Sequence, residues 1–245
     1  MTLAFDQIVN HASKFHHMFN KKVSCPVVIR TPMGGRRGYG PTHSQTLDKF
    51  LVGIDNVKTV ALNTFFDPAI LYRAISAEEH PVIVIENKTD YGKKIAQVAL
   101  PGFVAERNTD GYPVVRIRPG VSVPTLTIVA YGGMAEQVAG MLEAIFLETD
   151  HKPELIVPSL ISHLPVDLIA ESVADTGRLL VVEEGSGFAG IGSELIAAVL
   201  ETGGVAFSAR RVTAHPVPIP SVRSLENFVL PDRNRILAEI KTHFS

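Results

Sequence analysis

Arg30 to Gln45, RTPMGGRRGYGPTHSQ, concentrates the residue types that build ligand sites. Gly34, Gly35, Gly38 and Gly40 let the backbone take conformations that other residues resist, and Pro32 and Pro41 stiffen it between them. Arg30, Arg36, Arg37 and His43 add polar chemistry, with His43 near the far end, just before an expected helix. The stretch follows the apolar run Val23 to Ile29, which reads as a buried strand. A long Gly/Pro loop leaving a strand end is where α/β proteins place their ligands. The same composition also suits a solvated surface loop with a chance histidine, and residue types alone leave both readings open.

Other patterns carry less. Gly185-Ser186-Gly187-Phe188-Ala189-Gly190 matches G-x-G-x-x-G between an expected strand and an expected helix. The following strand ends in Ala209-Arg210-Arg211, without the acidic residue that holds a ribose hydroxyl, so a 2′-phosphate and hence NADP is the nucleotide reading. Against it, the fingerprint belongs in the first βα turn of a domain, and this is the third turn of its half. The plain alternative is a glycine turn that lets helix and strand pack closely. Gly132-Gly133 after Leu126–Tyr131 is a weak anion candidate at a helix start. Zinc fails on spacing, with no HExxH, no CxxC and Cys25 the only thiol. His16 and His17 are adjacent and diverge on a helix; G-x-S-x-G and a P-loop are absent. Glu86 ends an expected strand where ligand clefts often lie, but nothing pairs it with a second carboxylate, and a structural hydrogen bond serves equally well.

The elements that position these residues read as alternating β and α. Apolar or β-branched runs at Pro26–Ile29, Val57–Ala61 and Val82–Ile85 predict three strands. Each run is continuous rather than alternating, which suits parallel strands covered on both faces. Ala4, Ile8, Ala12, Phe15 and Phe19 predict a helix over 3–20, and Thr46–Val52 and Asp67–Ser76 two more. Later strands are expected at Leu126–Ala130, Leu155–Val157, Leu179–Val182 and Val205–Ser208, with helices over 133–149, 166–176, 190–202 and 232–243. Residues 106–124, polar and proline-bearing with one short strand-like run, read as a linker. The expected architecture is thus two parallel-sheet α/β domains, 1–105 and 125–245, joined by 106–124. The first holds only about three strands where such sheets usually have five or six, so it is expected to be cut short at its N-terminus.

Composition sets outer limits. A chain of 245 residues with 46% hydrophobic content can bury a substantial core. A net charge of −2 makes no electrostatic case for nucleic acid. No apolar run approaches the roughly 20 residues that span a bilayer. Asp6, Gln7 and Asn10 interrupt any signal-peptide core, and a single cysteine fits a reducing cytosol, so a cytoplasmic protein is expected.

The runs FDQIVNHASKF, PVVIRTPMGGRRGYGPTHSQ and PVIVIENK resemble the beta subunit of the thiamine-diphosphate-dependent 2-oxo acid dehydrogenases. LTIVAYGGMAEQV, TGRLLVVEE, GFAGIGSEL and RRVTAHPVPIP resemble its C-terminal, transketolase-type domain. The resemblance spans essentially the whole chain, and GPTHSQ preceded by RTPMGG favours the dehydrogenase or acetoin-dehydrogenase branch. It implies a partial pyrimidine-binding domain followed by a transketolase C-terminal-type domain, and decarboxylation of a 2-oxo acid with acyl transfer to a lipoyl arm. The cofactor carries that chemistry and the protein positions it. The resemblance makes His43 the active-site histidine, donating to the substrate carboxylate or the acyl group, with Ser44 and Gln45 extending the motif. Arg30, Arg36 and Arg37 are expected to line the approach, from the sign of their charge.

The same resemblance implies an alpha subunit that holds the magnesium and diphosphate, a second beta chain, and a lipoyl acyltransferase core as partners. It places the family's cofactor-activating glutamate upstream of Met1, so neither Asp6 nor Glu86 takes that role and the chain alone is expected to be inactive. A potassium loop is doubtful, since Ala74 to His80 is one residue longer than the usual pattern. A non-catalytic docking module and an NADP-binding domain are the alternatives.

Overall fold

The computed structural model describes residues 1–95, 100–108 and 111–244. Two sheets organise them. The first is parallel throughout: β1 (Val28–Met33), β2 (Lys58–Ala61) and β3 (Val82–Asn87), in the order β1-β3-β2. The second has the order β4-β5-β7-β6-β8-β9, from β4 (Phe103–Asn108), β5 (Val114–Pro119), β6 (Leu126–Ala130), β7 (Pro153–Pro158), β8 (Arg178–Ser186) and β9 (Ser208–Ala214). β6, β7 and β8 run parallel, as the continuous apolar runs predict, and β6 and β7 are buried at every position; β9 is parallel too, but it follows the expected run Val205–Ser208 rather than coinciding with it. β4 and β5 add antiparallel to the edge of this sheet. Much of the stretch 106–124, expected as a linker, is therefore strand.

The helices are α1 (Phe15–Met18), α2 (Gly40–His43), α3 (Pro68–Ser76), α4 (Gly133–Ala139), α5 (Leu142–Thr149), α6 (Val166–Thr176), α7 (Ile191–Glu201), α8 (Arg223–Val229) and α9 (Arg233–His243). Local chemistry sets several ends. Asp67 caps α3 by accepting the Ala69 N–H at 2.9 Å, with Pro68 at the first helical position. Asp232 caps α9 by accepting from Arg235 N–H at 2.8 Å. α6 ends on Gly177 at φ 64°, a left-handed cap that glycine adopts without strain.

Four expectations are corrected. The helix over 3–20 is a series of turns, 3-10 at Thr2–Ala4, π at Gln7–Ala12 and then α1. Only Ile8 of its apolar stripe is buried, and Phe19 is 51% exposed, so most of the stripe has no layer to pack on. The helix over Thr46–Val52 is a single 3-10 turn, Asp48–Phe50, and the helix over 133–149 breaks at Gly140 into α4 and α5. Cys25 lies just outside β1 and is half-buried rather than core.

The two halves are built into each other. One core cluster contains Val60, Phe66 and Leu71 from the first half with Val115, Leu126 and Met134 from the second. The free edge of β2 is closed by residues 159–162: Ala61 N–H donates to Ser159 O at 2.8 Å, and Ile161 N–H donates to Thr59 O at 2.9 Å. Pairing satisfies backbone groups that an open edge would leave bare.

Candidate active site at the β1 exit

The chain leaves β1 into a loop whose backbone repeatedly enters the left-handed region, with φ of 97° at Gly34, 67° at Arg36, 70° at Gly38 and 73° at Gly40. Arg36 is the exception there, because only glycine adopts this conformation without steric cost. The loop ends in α2, one turn long, whose last residue is His43.

His43 is exposed, and its carbonyl accepts from Lys88 Nζ at 2.8 Å. Lys88 follows β3, so the carboxyl ends of two neighbouring strands meet here, the position where parallel sheets present ligands. Arg37 donates to the Lys88 carbonyl at 3.1 Å. Arg37 and Lys88 both approach the Tyr39 ring, at 5.2 Å and 5.3 Å from its centre. His43, Arg37, Tyr39 and Lys88 thus form one exposed cluster with two cations. Tyr39 and Lys88 lie inside motifs recognisable in the sequence, but only the sheet order brings Lys88 to His43.

The other expected site residues sit differently. Ser44 is fully buried and caps the end of α2 through its N–H to Gly40 O at 3.0 Å. Gln45 is exposed and donates to Thr42 O at 3.3 Å. Arg30 instead forms a two-point ion pair with Glu86, at 2.5 Å and 3.1 Å. Tyr91 and Tyr72 also donate to Glu86, at 2.7 Å and 3.4 Å. Burial would raise the Glu86 carboxyl, but the hydrogen bonds from Arg30 and Tyr91 and the Arg30 charge outweigh it and hold it below its ordinary value. This network borders a cavity of about 450 Å³, lined also by Asn63, Phe66 and Lys94, and His43 is not among its lining residues. Arg36 donates to the Pro231 carbonyl in the second half. Of the three arginines, only Arg37 shares the His43 cluster.

The loop is fastened to the second half of the chain. Gly35 N–H donates to Glu184 Oε1 at 2.8 Å and Gly38 N–H to Glu226 Oε2 at 2.9 Å. Thr46 Oγ1 donates to Glu184 Oε1 at 2.9 Å. Lys49 Nζ reaches Ser186 Oγ at 2.7 Å and Phe188 O at 2.8 Å. Beneath lie the buried Asp48, Glu183 and Tyr131; the Tyr131 hydroxyl donates to Asp48 Oδ2 at 2.6 Å and stands 3.5 Å from Glu183 Oε2. Burial, with the nearby Asp48 charge, pushes the Glu183 carboxyl up to about 7, and burial raises Asp48 and Glu184 too.

The glycine-marked helix starts are occupied by the chain itself. At α7 the Gly192 N–H donates to Glu183 Oε2 at 3.4 Å, and a methyl on Gly190 would stand 2.7 Å from both Glu183 oxygens. Arg211 is engaged with Gly187 O and Ser193 Oγ, each at 2.5 Å. A carboxylate already at the positive end of the helix leaves no place for a pyrophosphate, and the arginine proposed for a 2′-phosphate is committed elsewhere. At α4, a methyl on Gly133 would meet Asn87 Nδ2 at 1.9 Å, so that start is filled by Asn87. Among the described residues no group of three or more His, Cys, Asp and Glu side chains is placed to hold a metal ion. The donors around His43 fit the substrate side of an anion-handling cofactor; neither glycine-marked helix start fits its diphosphate.

Comparisons with known proteins agree with this architecture. A family model described as transketolase, C-terminal domain, matches residues 117–236. The pyruvate dehydrogenase E1 component subunit beta of Rickettsia bellii (strain RML369-C) is 31% identical over 243 residues, covering 97% of this chain and 71% of the relative. The acetoin:2,6-dichlorophenolindophenol oxidoreductase subunit beta of Cupriavidus necator is 31% identical over 242 residues, covering 97% of this chain and 68% of the relative. Among solved structures, a split gene transketolase described as an inactive beta4 tetramer superposes with a TM-score of 0.67 at 15% identity, covering 98% of this chain and 74% of that one, which shows the shared fold. The chain belongs to the family of E1 beta subunits of the thiamine-diphosphate-dependent 2-oxo acid dehydrogenases.

Proposed function

We propose that this chain is the beta-type subunit of a decarboxylating 2-oxo acid dehydrogenase component, with His43 as its catalytic histidine. The observation that carries this reading is the convergence of His43, Arg37, Tyr39 and Lys88 at the carboxyl ends of β1 and β3, on a loop fastened to the second half. Two cations on the loop and strand end that carry His43 favour an anionic substrate such as a 2-oxo acid. In this reading Arg37 and Lys88 attract and orient the carboxylate, and His43 donates a hydrogen bond to it and moves a proton at the reacting carbonyl oxygen. Thiamine diphosphate supplies the electron sink for decarboxylation when bound.

An alpha-type subunit holds the diphosphate and its magnesium in this proposal. Its support is that Asn87 and Glu183 fill the glycine-marked helix starts of this chain. The working assembly pairs two such chains with two alpha-type subunits and delivers the acyl group to a lipoyl acyltransferase core. The test is reconstitution with an alpha-type subunit, following 2-oxo acid-dependent reduction of an artificial electron acceptor. Turnover is expected only when an alpha-type subunit, thiamine diphosphate and a source of the family's cofactor-activating glutamate are all present. Turnover by this chain alone would refute the shared site, and assembly without turnover would leave it a docking subunit.

A further inference from the structure

We propose that Glu184 and Glu226 are positioning residues that set His43 from across the seam between the two halves; the inference rests on the catalytic reading of His43. Both carboxylates belong to the second half, on β8 and α8. Each accepts a backbone N–H from the loop of the first half, Glu184 from Gly35 at 2.8 Å and Glu226 from Gly38 at 2.9 Å. Glu184 also accepts from Thr46 at 2.9 Å, so the chain is held on both sides of His43.

The loop needs such acceptors because it has little regular structure of its own. Its glycines and Arg36 turn their N–H groups out of any helix or strand ladder. α2 is one turn long and has no side-chain cap at its start. Gly35 is pressed against the second half so closely that a methyl there would stand 2.5 Å from Leu230 Cδ1 and 3.3 Å from Glu226 Oε1.

Glu226 is the sharper of the two. It is completely buried, and its Oε1 makes no hydrogen bond among the described residues. Burying a carboxylate is costly unless its partners compensate, and an apolar residue would satisfy a helix face that only had to pack. The carboxylate instead supplies the acceptor that Gly38 requires, five residues before His43. The position of the imidazole thus depends on closure of the two halves on each other.

The test uses the reconstituted, turnover-competent complex carrying Glu226→Ala or Glu226→Gln, with kcat and KM measured beside amide hydrogen exchange over residues 34–46. Glu226→Ala is expected to lower kcat about tenfold to 100-fold with KM changed less than about twofold, because misplacement of a catalytic group acts on the chemical step. Exchange over 34–46 should accelerate in the same variant. Glu226→Gln keeps an oxygen for the Gly38 N–H and should restore most of the loss. If Glu226→Ala fails to fold, Glu226→Asp, one methylene shorter, carries the same expectation. Wild-type kcat despite faster exchange, or unchanged exchange over 34–46, overturns the proposal. Failure of the underlying reading shows separately, as full turnover in His43→Ala.

Discussion

Two glycine-rich strand exits meet at the seam between the halves, and they have opposite fates. The exit of β8 carries the G-x-G-x-x-G spacing of a dinucleotide site, yet its helix start is filled by Glu183 and its arginine is tied to Gly187 and Ser193. The exit of β1 matches no phosphate-binding fingerprint, yet it presents an exposed histidine whose backbone carbonyl is held by Lys88, with Arg37 on the Lys88 carbonyl. Glycine permits close approach of whatever comes near, and at β8 that is the chain's own carboxylate. Carboxylates of the chain take backbone N–H groups at both exits, Glu184 and Glu226 at β1 and Glu183 at β8, and what separates the two is that the β1 exit still leaves His43 and Arg37 exposed.

The largest expected effect lies at the β1 exit. His43→Ala in the reconstituted enzyme should cost about 10²–10⁴ in kcat, the usual range for a general acid–base group, as measured by steady-state turnover. A variant at wild-type rate would erase the contrast between the two exits.

Glu183→Gln probes the β8 exit through pH. The folded-state value of Glu183 is raised to about 7, so its contribution to stability is full below its unfolded value and is lost as pH rises from roughly 4.5 to 7. Asp48 and Glu184, both raised, face the same seam, with Lys49, Arg36 and Arg211 nearby. Denaturant titrations at pH 5 and pH 8 should show a loss of about 3 kcal/mol in the wild type that the amide variant largely removes. An unchanged pH slope would place the titration elsewhere in the seam.

Gly190→Ala should destabilise the chain by about 1–3 kcal/mol, because the added methyl drives the Glu183 carboxylate out of its place, read as a lowered denaturation midpoint. The smallest expected effect is none at all: NADPH at millimolar concentration should leave the melting temperature unchanged. A clear upward shift would reopen the β8 exit as a nucleotide site.

Much of the architecture was legible from periodicity. Leu126–Ala130 matches its predicted strand and Val166–Thr176 its predicted helix, because continuous apolar runs and well-marked ends dominate there. Prediction failed where tertiary contacts decide. The turns before Asn20 lack a packing layer for most of their stripe; β5 follows the short strand-like run in 106–124 and is ordered by pairing with β7, while β4 gains its order from pairing with β5. α8, which carries Glu226, follows a proline-rich run that masked it.

The sequence by itself determined the alternation of elements, the glycine loop that ends in His43, and the family to which those motifs point. Side-chain period and backbone freedom are local properties, and they survive without knowledge of neighbours. The tertiary structure alone decided that Arg30 faces Glu86 while Arg37 joins His43, that Lys88 completes the cluster, and that Glu183 closes the competing site. Each of those outcomes is a pairing between residues far apart in the chain. Strand order and the closure of two halves set such pairings, and neither is written in any single stretch of residues.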